Sequence, residues 1–170
     1  MMKMLIDEQM SELRRYPPGE AVGQALSELL EKDCYLLNID ANEHSITFRF
    51  AMHLQKHLPE WTVDCEYNRD GIDPKRLEHL GLYPPSDDED AQTVFPDVIV
   101  HRRGTGQNYL VVEFKKSTSR VNRQIDLRKL LGYRQQLGYV HALFIEVGTD
   151  GQATIEKLKW VEATMPERDL

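Results

Sequence analysis

The stretch Tyr109-Leu-Val-Val-Glu-Phe-Lys-Lys-Ser117 decides how this chain is read. An aromatic residue followed by Leu110, Val111 and Val112 has the composition of a buried β-strand. Glu113, Lys115 and Lys116 then place a carboxylate and two amines in the same run, with Phe114 between the first two. Side chains alternate across a strand, so Tyr109, Val111, Glu113 and Lys115 are expected on one face and Leu110, Val112 and Phe114 on the other. Glu113 and Lys115 are then neighbours about 7 Å apart along the strand.

The preceding run, Pro96-Asp-Val-Ile-Val-His-Arg102, reads as a second strand, with Asp97, Ile99 and His101 on one face. If residues 103–107 form the hairpin loop, centred on Thr105, Asp97 stands opposite Glu113. Directly opposed residues have Cβ atoms about 5 Å apart, so two carboxylates crowd one spot. Such a pair is destabilising unless one acid is protonated or a cation lies between them. A lysine beside them gives some relief and a divalent metal gives more.

Outward from this hairpin, helical spacing is expected from Met4 to Arg15 and again over Glu20–Asp33, where Val22, Leu26, Leu29 and Leu30 recur, with Tyr16-Pro-Pro-Gly19 as the break. A third helix carries the stripe Ile46, Phe50, Leu54 and Leu58 and stops at Pro59. Glu43 precedes Ile46 by three residues and shares the inward stripe; Asp40-Ala-Asn-Glu43 also has the form of a capping box, with Asp40 or Asn42 as the cap. Trp61, Val63, Cys65 and Tyr67 alternate as a strand. Arg69 to Gln92, with GLYPPSDDEDAQ at its centre, is polar and irregular. Residues 122–138 form a helix, Tyr139–Gly148 a buried strand and Ala153–Glu162 a more exposed last one. The order is helices, then α-β-β-β-α-β, then a terminal strand: an antiparallel meander followed by a strand-helix-strand unit in a mixed sheet.

Pro96-Asp97 followed by Glu113-Phe114-Lys115, within this order of elements, resembles the PD-(D/E)XK nuclease superfamily over about residues 40–148. The resemblance implies an α/β protein with an αβββαβ restriction-endonuclease-like core, its mixed sheet flanked by helices. A helical N-terminal extension over 1–38 precedes the nuclease-like domain over 39–165. It implies that Asp97 and Glu113 bind Mg2+ or Mn2+ together with the main-chain carbonyl of Phe114, and that Lys115 positions or activates the attacking water. Glu43 falls where a third acid completes the site. Phosphodiester hydrolysis needs relief of charge on the phosphoryl oxygens, and a hard cation on two or three carboxylates supplies it. Arg120, Arg123 and Arg128 are candidates for backbone phosphate contact. Gln135 and Tyr139 match a Q-x-x-x-Y element of RecB-like members. The expected function is metal-dependent hydrolysis of phosphodiester bonds, in DNA rather than RNA. The alternative is a catalytically silent nuclease-like subunit that binds nucleic acid or a partner protein. A homodimer or a partner docked on the N-terminal helices is compatible with either.

Composition sets the bounds. The chain has 170 residues and a formal net charge of −7, so no wholesale affinity for nucleic acid or anionic membrane is expected. No apolar run approaches membrane-spanning length, and a cytoplasmic protein is expected. Cys34 and Cys65 are read as reduced thiols. His53 and His57 are read as an exposed helix face, Asp64 and Glu66 as acids that join the site only if their face is the wet one, and Asn68–Gly71 as a turn, with Asp70 near a substrate as the minor alternative.

Overall fold

The apolar side of the Tyr109–Ser117 strand is where the N-terminal helices collect. The computed structural model describes residues 5–70, 73–78 and 91–170. Its helices are α1 (Asp7–Leu13), α2 (Gly19–Lys32), α3 (Cys34–Asn38), α4 (Glu43–His57) and α5 (Arg123–Gln136). The main sheet is built from β1 (Thr62–Cys65), β2 (Val98–His101), β3 (Asn108–Lys116), β4 (His141–Gly148) and β5 (Thr154–Trp160), in that spatial order. Neighbours are antiparallel except β3 and β4, which run parallel across the α5 connection. Between β1 and β2 lie two short ribbons, Arg69–Asp70 with Asp73–Pro74 and Arg76–Glu78 with Ala91–Thr93. The chain is thus a mixed α/β protein with a five-stranded mixed sheet flanked by helices. Most of the acidic segment read as irregular, residues 79–90, lies outside the described residues. No helix among the described residues is long and apolar enough to cross a membrane.

Two clusters cover the two faces. Val98, Val100, Leu110, Val112, Phe114, Leu143 and Ile145 pack against Leu13, Leu26, Leu29, Ile46, Phe50 and Leu54 from α1, α2 and α4. On the other face Ile99, Val111, Ala142 and Phe144 meet Leu127, Leu130, Leu131 and Tyr133 of α5. β3 is central and longest, so its two faces serve the two cores in alternation.

Gly19 opens α2 where the chain turns back on α1, and a Cβ there would stand 1.7 Å from the Leu13 carbonyl oxygen. That atom is backbone and cannot swing aside. Gly19→Ala is expected to destabilise the protein by about 1–3 kcal/mol, read as a lower denaturation midpoint.

Several local expectations are corrected. The register pairs Val98, Val100 and Ile99 with Val112, Leu110 and Val111, as the Thr105-centred hairpin requires, but it slips at His101, which faces Asn108. Tyr109 is the extra residue of a β-bulge. It therefore leaves the face of Val111 and Glu113 and stacks on Trp61 at 4.7 Å on the helix-layer side. Glu66, with φ +49°, breaks the alternation after β1, so Tyr67 packs with the α5-side cluster instead of beside Trp61 and Val63. Asn42, not Asp40, caps α4, accepting the His44 N–H at 2.8 Å; Asp40 takes a left-handed φ of +53° and cannot be the cap. Helix α3 lies inside the helical extension expected over 1–38, just past the second expected helix, which ends at Asp33. Cys34 and Cys65 are both free, Cys65 being exposed.

The two histidines of α4 are not on an exposed face. His53 is buried, its Nε2 2.6 Å from Asp33 Oδ2 and its Nδ1 3.3 Å from Glu28 Oε2, while His57 Nε2 lies 2.6 Å from Glu28 Oε1. Their acidic partners come from α2 and from the α2–α3 junction. Lys32 first, and then His57, hold the Glu28 carboxyl down at about 2. This is an interhelical lock between α2 and α4.

Candidate functional site

β3 outruns β2. Past the bulge the even-numbered residues of β3 direct their main-chain groups toward β2, as the Phe114 amide bonded to Asp97 shows, while the odd-numbered ones serve β4, ending in the Ser117 N–H to Val147 oxygen bond at 2.8 Å. Past Val98 the even-side donors of Phe114 and Lys116 have no strand to pair with, and buried donors must be paired. Two carboxylates take them. Asp97 Oδ2 accepts the Phe114 N–H at 2.7 Å, and Glu43 Oε2 accepts the Lys116 N–H at 3.1 Å. The Phe114 carbonyl faces the same edge.

Glu43 reaches this edge because the turn before α4 is clamped to β3. Lys116 Nζ donates to the carbonyls of Asp40 (3.3 Å) and Ala41 (3.0 Å) and pairs with Asp40 Oδ1 at 3.0 Å. Glu43 then begins α4 one residue after its cap.

Glu113 points to the α5 face, where it is 1% exposed. Lys129 Nζ donates to its Oε2 at 3.0 Å, and the Tyr133 hydroxyl donates to its Oε1 at 3.1 Å. Lys115, also buried, stands 3.2 Å from Asp126 Oδ2 and 3.7 Å from Glu43 Oε1. Among the described residues Asp126 Oδ2 receives no well-directed hydrogen bond despite its complete burial. Asp97, Glu113, Lys115 and Glu43, the four residues assigned catalytic roles from the sequence, thus gather at one end of the sheet.

Burial first, and then the charge of Asp97, pushes the Glu113 carboxyl well above the usual carboxylate range, against the pull of Lys129. Asp97 is raised as well, again chiefly by burial, although the Phe114 N–H and Lys129 oppose it. Burial alone would lower the two amines, but their acidic neighbours prevail and both are raised: Asp126 and Glu43 act on Lys115, Glu113 and Asp97 on Lys129. Four carboxylates (Glu43, Asp97, Glu113, Asp126) face two amines (Lys115, Lys129), which leaves two negative charges when all are ionised. Protons or a divalent cation can balance them. Among the described residues no group of three or more His, Cys, Asp and Glu side chains is arranged to hold a metal ion.

The residues proposed for phosphate contact do not form one surface. Arg120 is exposed on the loop after β3, and Arg128 is half-buried on α5. Arg123 turns its guanidinium inward, to Glu146 Oε2 at 2.9 Å and to the carbonyls of Lys116, Ser117, Ser119 and Val121, so it staples that loop rather than offering donors outward. Gln135 binds the Ala163 carbonyl at 2.9 Å, and Tyr139 is buried with no hydrogen-bond partner for its hydroxyl among the described residues. The four-residue step of α5 that reaches the site is Lys129–Tyr133, not Gln135–Tyr139. Asp64 pairs with His101 and Arg103, Glu66 with His44, and Asp70 accepts from Asn108, so none of these acids joins the cluster.

Asp126, Lys129 and Tyr133 received no role from the sequence. Their spacing of three and then four residues puts them on one helix face beside Leu130, and three polar groups on a buried stripe are the signal that was available. Comparison of the chain with protein-family models, with curated proteins and with solved structures gives no match in any of the three.

Proposed function

We propose that the protein is a metal-dependent nuclease that hydrolyses phosphodiester bonds, with DNA as the expected substrate and an αβββαβ restriction-endonuclease-like core. The observation that carries this reading is the meeting of Asp97 and Glu113, two shielded carboxylates of raised pKa, beside a buried lysine at the open edge of β3. Crowded like charges of this kind lower stability, and a function that needs them accounts for their presence. The donor set suits Mg2+ or Mn2+: hard oxygens, two unbalanced negative charges, and a main-chain carbonyl on the same edge. Asp97, Glu113 and the Phe114 carbonyl would hold the ion, with Glu43 as a further acid. When bound, the metal supplies a Lewis acid for the phosphoryl oxygens. Lys115, anchored between Glu43 and Asp126, would orient the attacking water and add positive charge beside it. Asp97 is kept in place by the Phe114 amide and Glu43 by the Lys116 amide, so both acids are fixed to the strand that carries Glu113 and Lys115.

The expected result is Mg2+- or Mn2+-dependent cleavage of DNA by the wild type, strongly reduced in Asp97→Ala and in Lys115→Ala. Equal activity in all three would overturn the assignment.

A second reading keeps the fold without the chemistry: a silent nuclease-like subunit that binds nucleic acid or a partner. It is favoured by the saturation of Glu113, both of whose oxygens are already bonded by Lys129 and Tyr133. Absence of Mn2+ binding in calorimetry would select it.

A further inference from the structure

Two lysines serve this cluster; they share Asp126 but have different nearest acids. Lys115 faces Asp126 and Glu43, whereas Lys129 donates to Glu113 at 3.0 Å and acts on Asp97 across the pair. The amine bonded directly to Glu113, a principal metal ligand of the proposed site, is therefore the one on α5, outside the strand motif. It sits where a positive charge is needed when no metal is present. Its side chain is 19% exposed, while Glu113 beneath it is closed off. A lysine head on a flexible four-carbon stem can withdraw toward solvent without moving the helix, which a rigid guanidinium fork does less readily. Tyr133, one turn further along α5, holds the other Glu113 oxygen and keeps the carboxylate aimed while the amine leaves.

We infer that Lys129 is a built-in counter-cation that occupies the Asp97–Glu113 pair in the metal-free protein and is displaced by the divalent ion, so that it sets the metal affinity of the site. This rests on the metal-dependent reading above. Two consequences separate this role from a purely structural one. Removing the charge eases entry of a second cation, because an ammonium within a few ångströms opposes it. Removing it also leaves the two carboxylates facing each other with less compensation, so the metal-free protein loses stability that the metal returns.

The test titrates Mn2+ alone into the full chain by calorimetry for wild type, Lys129→Met and Lys129→Gln, with thermal melts of each in chelator and in Mn2+. Lys129→Gln keeps a hydrogen-bond donor for Glu113 and serves if the methionine variant does not fold. Both variants are expected to bind Mn2+ about ten-fold or more tighter than wild type, to melt lower in chelator, and to regain the wild-type midpoint in Mn2+. Equal or weaker binding by the variants that fold would overturn the role of Lys129 and leave the metal site standing. No Mn2+ binding by any of the three would overturn both.

Discussion

Glu113→Gln is expected to lose Mn2+-dependent DNA cleavage by about a thousand-fold, the order found when one preorganised charge-stabilising group is removed from an active site, and yet to melt no lower than wild type without metal. The two halves of this expectation have one cause. Glu113 is buried against Asp97, so its negative charge is unfavourable to the fold; on the proposed function it is retained for the metal it would bind. The amide keeps the shape, can accept from Lys129 and can donate to the Tyr133 oxygen. Lys129 still has Asp97 nearby and Asp126 Oδ1 at 4.0 Å, so it is not left as a lone buried charge. The pH dependence follows in sign. Asp97 and Glu113 both titrate above their unfolded values, so the folded chain holds protons that the unfolded chain has released. The stability this contributes is complete below the ordinary carboxylate range and is lost as pH rises through the folded values. Metal-free wild type should therefore weaken as pH climbs out of that range, and Glu113→Gln should do so less steeply. Melts in chelator across about pH 4 to 8 and a cleavage assay check both halves. Wild-type cutting by the variant, or a melting point several degrees lower, would contradict the account.

Phe114→Ala is expected to cost about 3–5 kcal/mol of stability, read as a lower denaturant midpoint at unchanged slope. The ring is fully buried and lies 5.4 Å from that of Phe50, centroid to centroid, where β3 meets α4. It is also the residue between the two chemical side chains, and its amide holds Asp97. The substitution keeps that amide and removes only the ring. Cleavage per folded molecule should then fall through loosening of the Glu43 approach, since Glu43 rides on the same α4 that the ring supports. A loss below about 1 kcal/mol would mean that the site can collapse around the missing ring.

What the sequence made legible is what depends on local pattern. β3 runs over the residues its alternation marked, α5 falls within one or two residues of its expected limits, and the hairpin register beside Asp97 follows from a loop centred on Thr105. What it concealed depends on partners distant in the chain. His53 carries no mark of burial until Asp33 and Glu28 are brought to it. The Q-x-x-x-Y match drew attention to Gln135 and Tyr139, whereas rotation of α5 on the sheet selects Lys129 and Tyr133. Arg123 looked like a phosphate ligand because Arg120, Arg123 and Arg128 cluster just after the strand of Glu113 and Lys115, whereas its guanidinium is wrapped by the preceding loop.

The bulge at Tyr109 gives β3 a parity. Upstream of it, one more or one fewer residue would alter how Trp61 and Tyr109 meet and would move Asn108 off Asp70 and the Leu137 carbonyl, but it leaves the parity of Glu113 and Lys115 as it is. Downstream, between Leu110 and Glu113, a single inserted or deleted codon would exchange odd for even: Phe114 would turn into the acid cluster, and Glu113 and Lys115 would enter the hydrocarbon layer beneath α4. Which side chains of this strand reach the acid cluster is therefore set by the residue count after the bulge and not by the length of the hairpin loop.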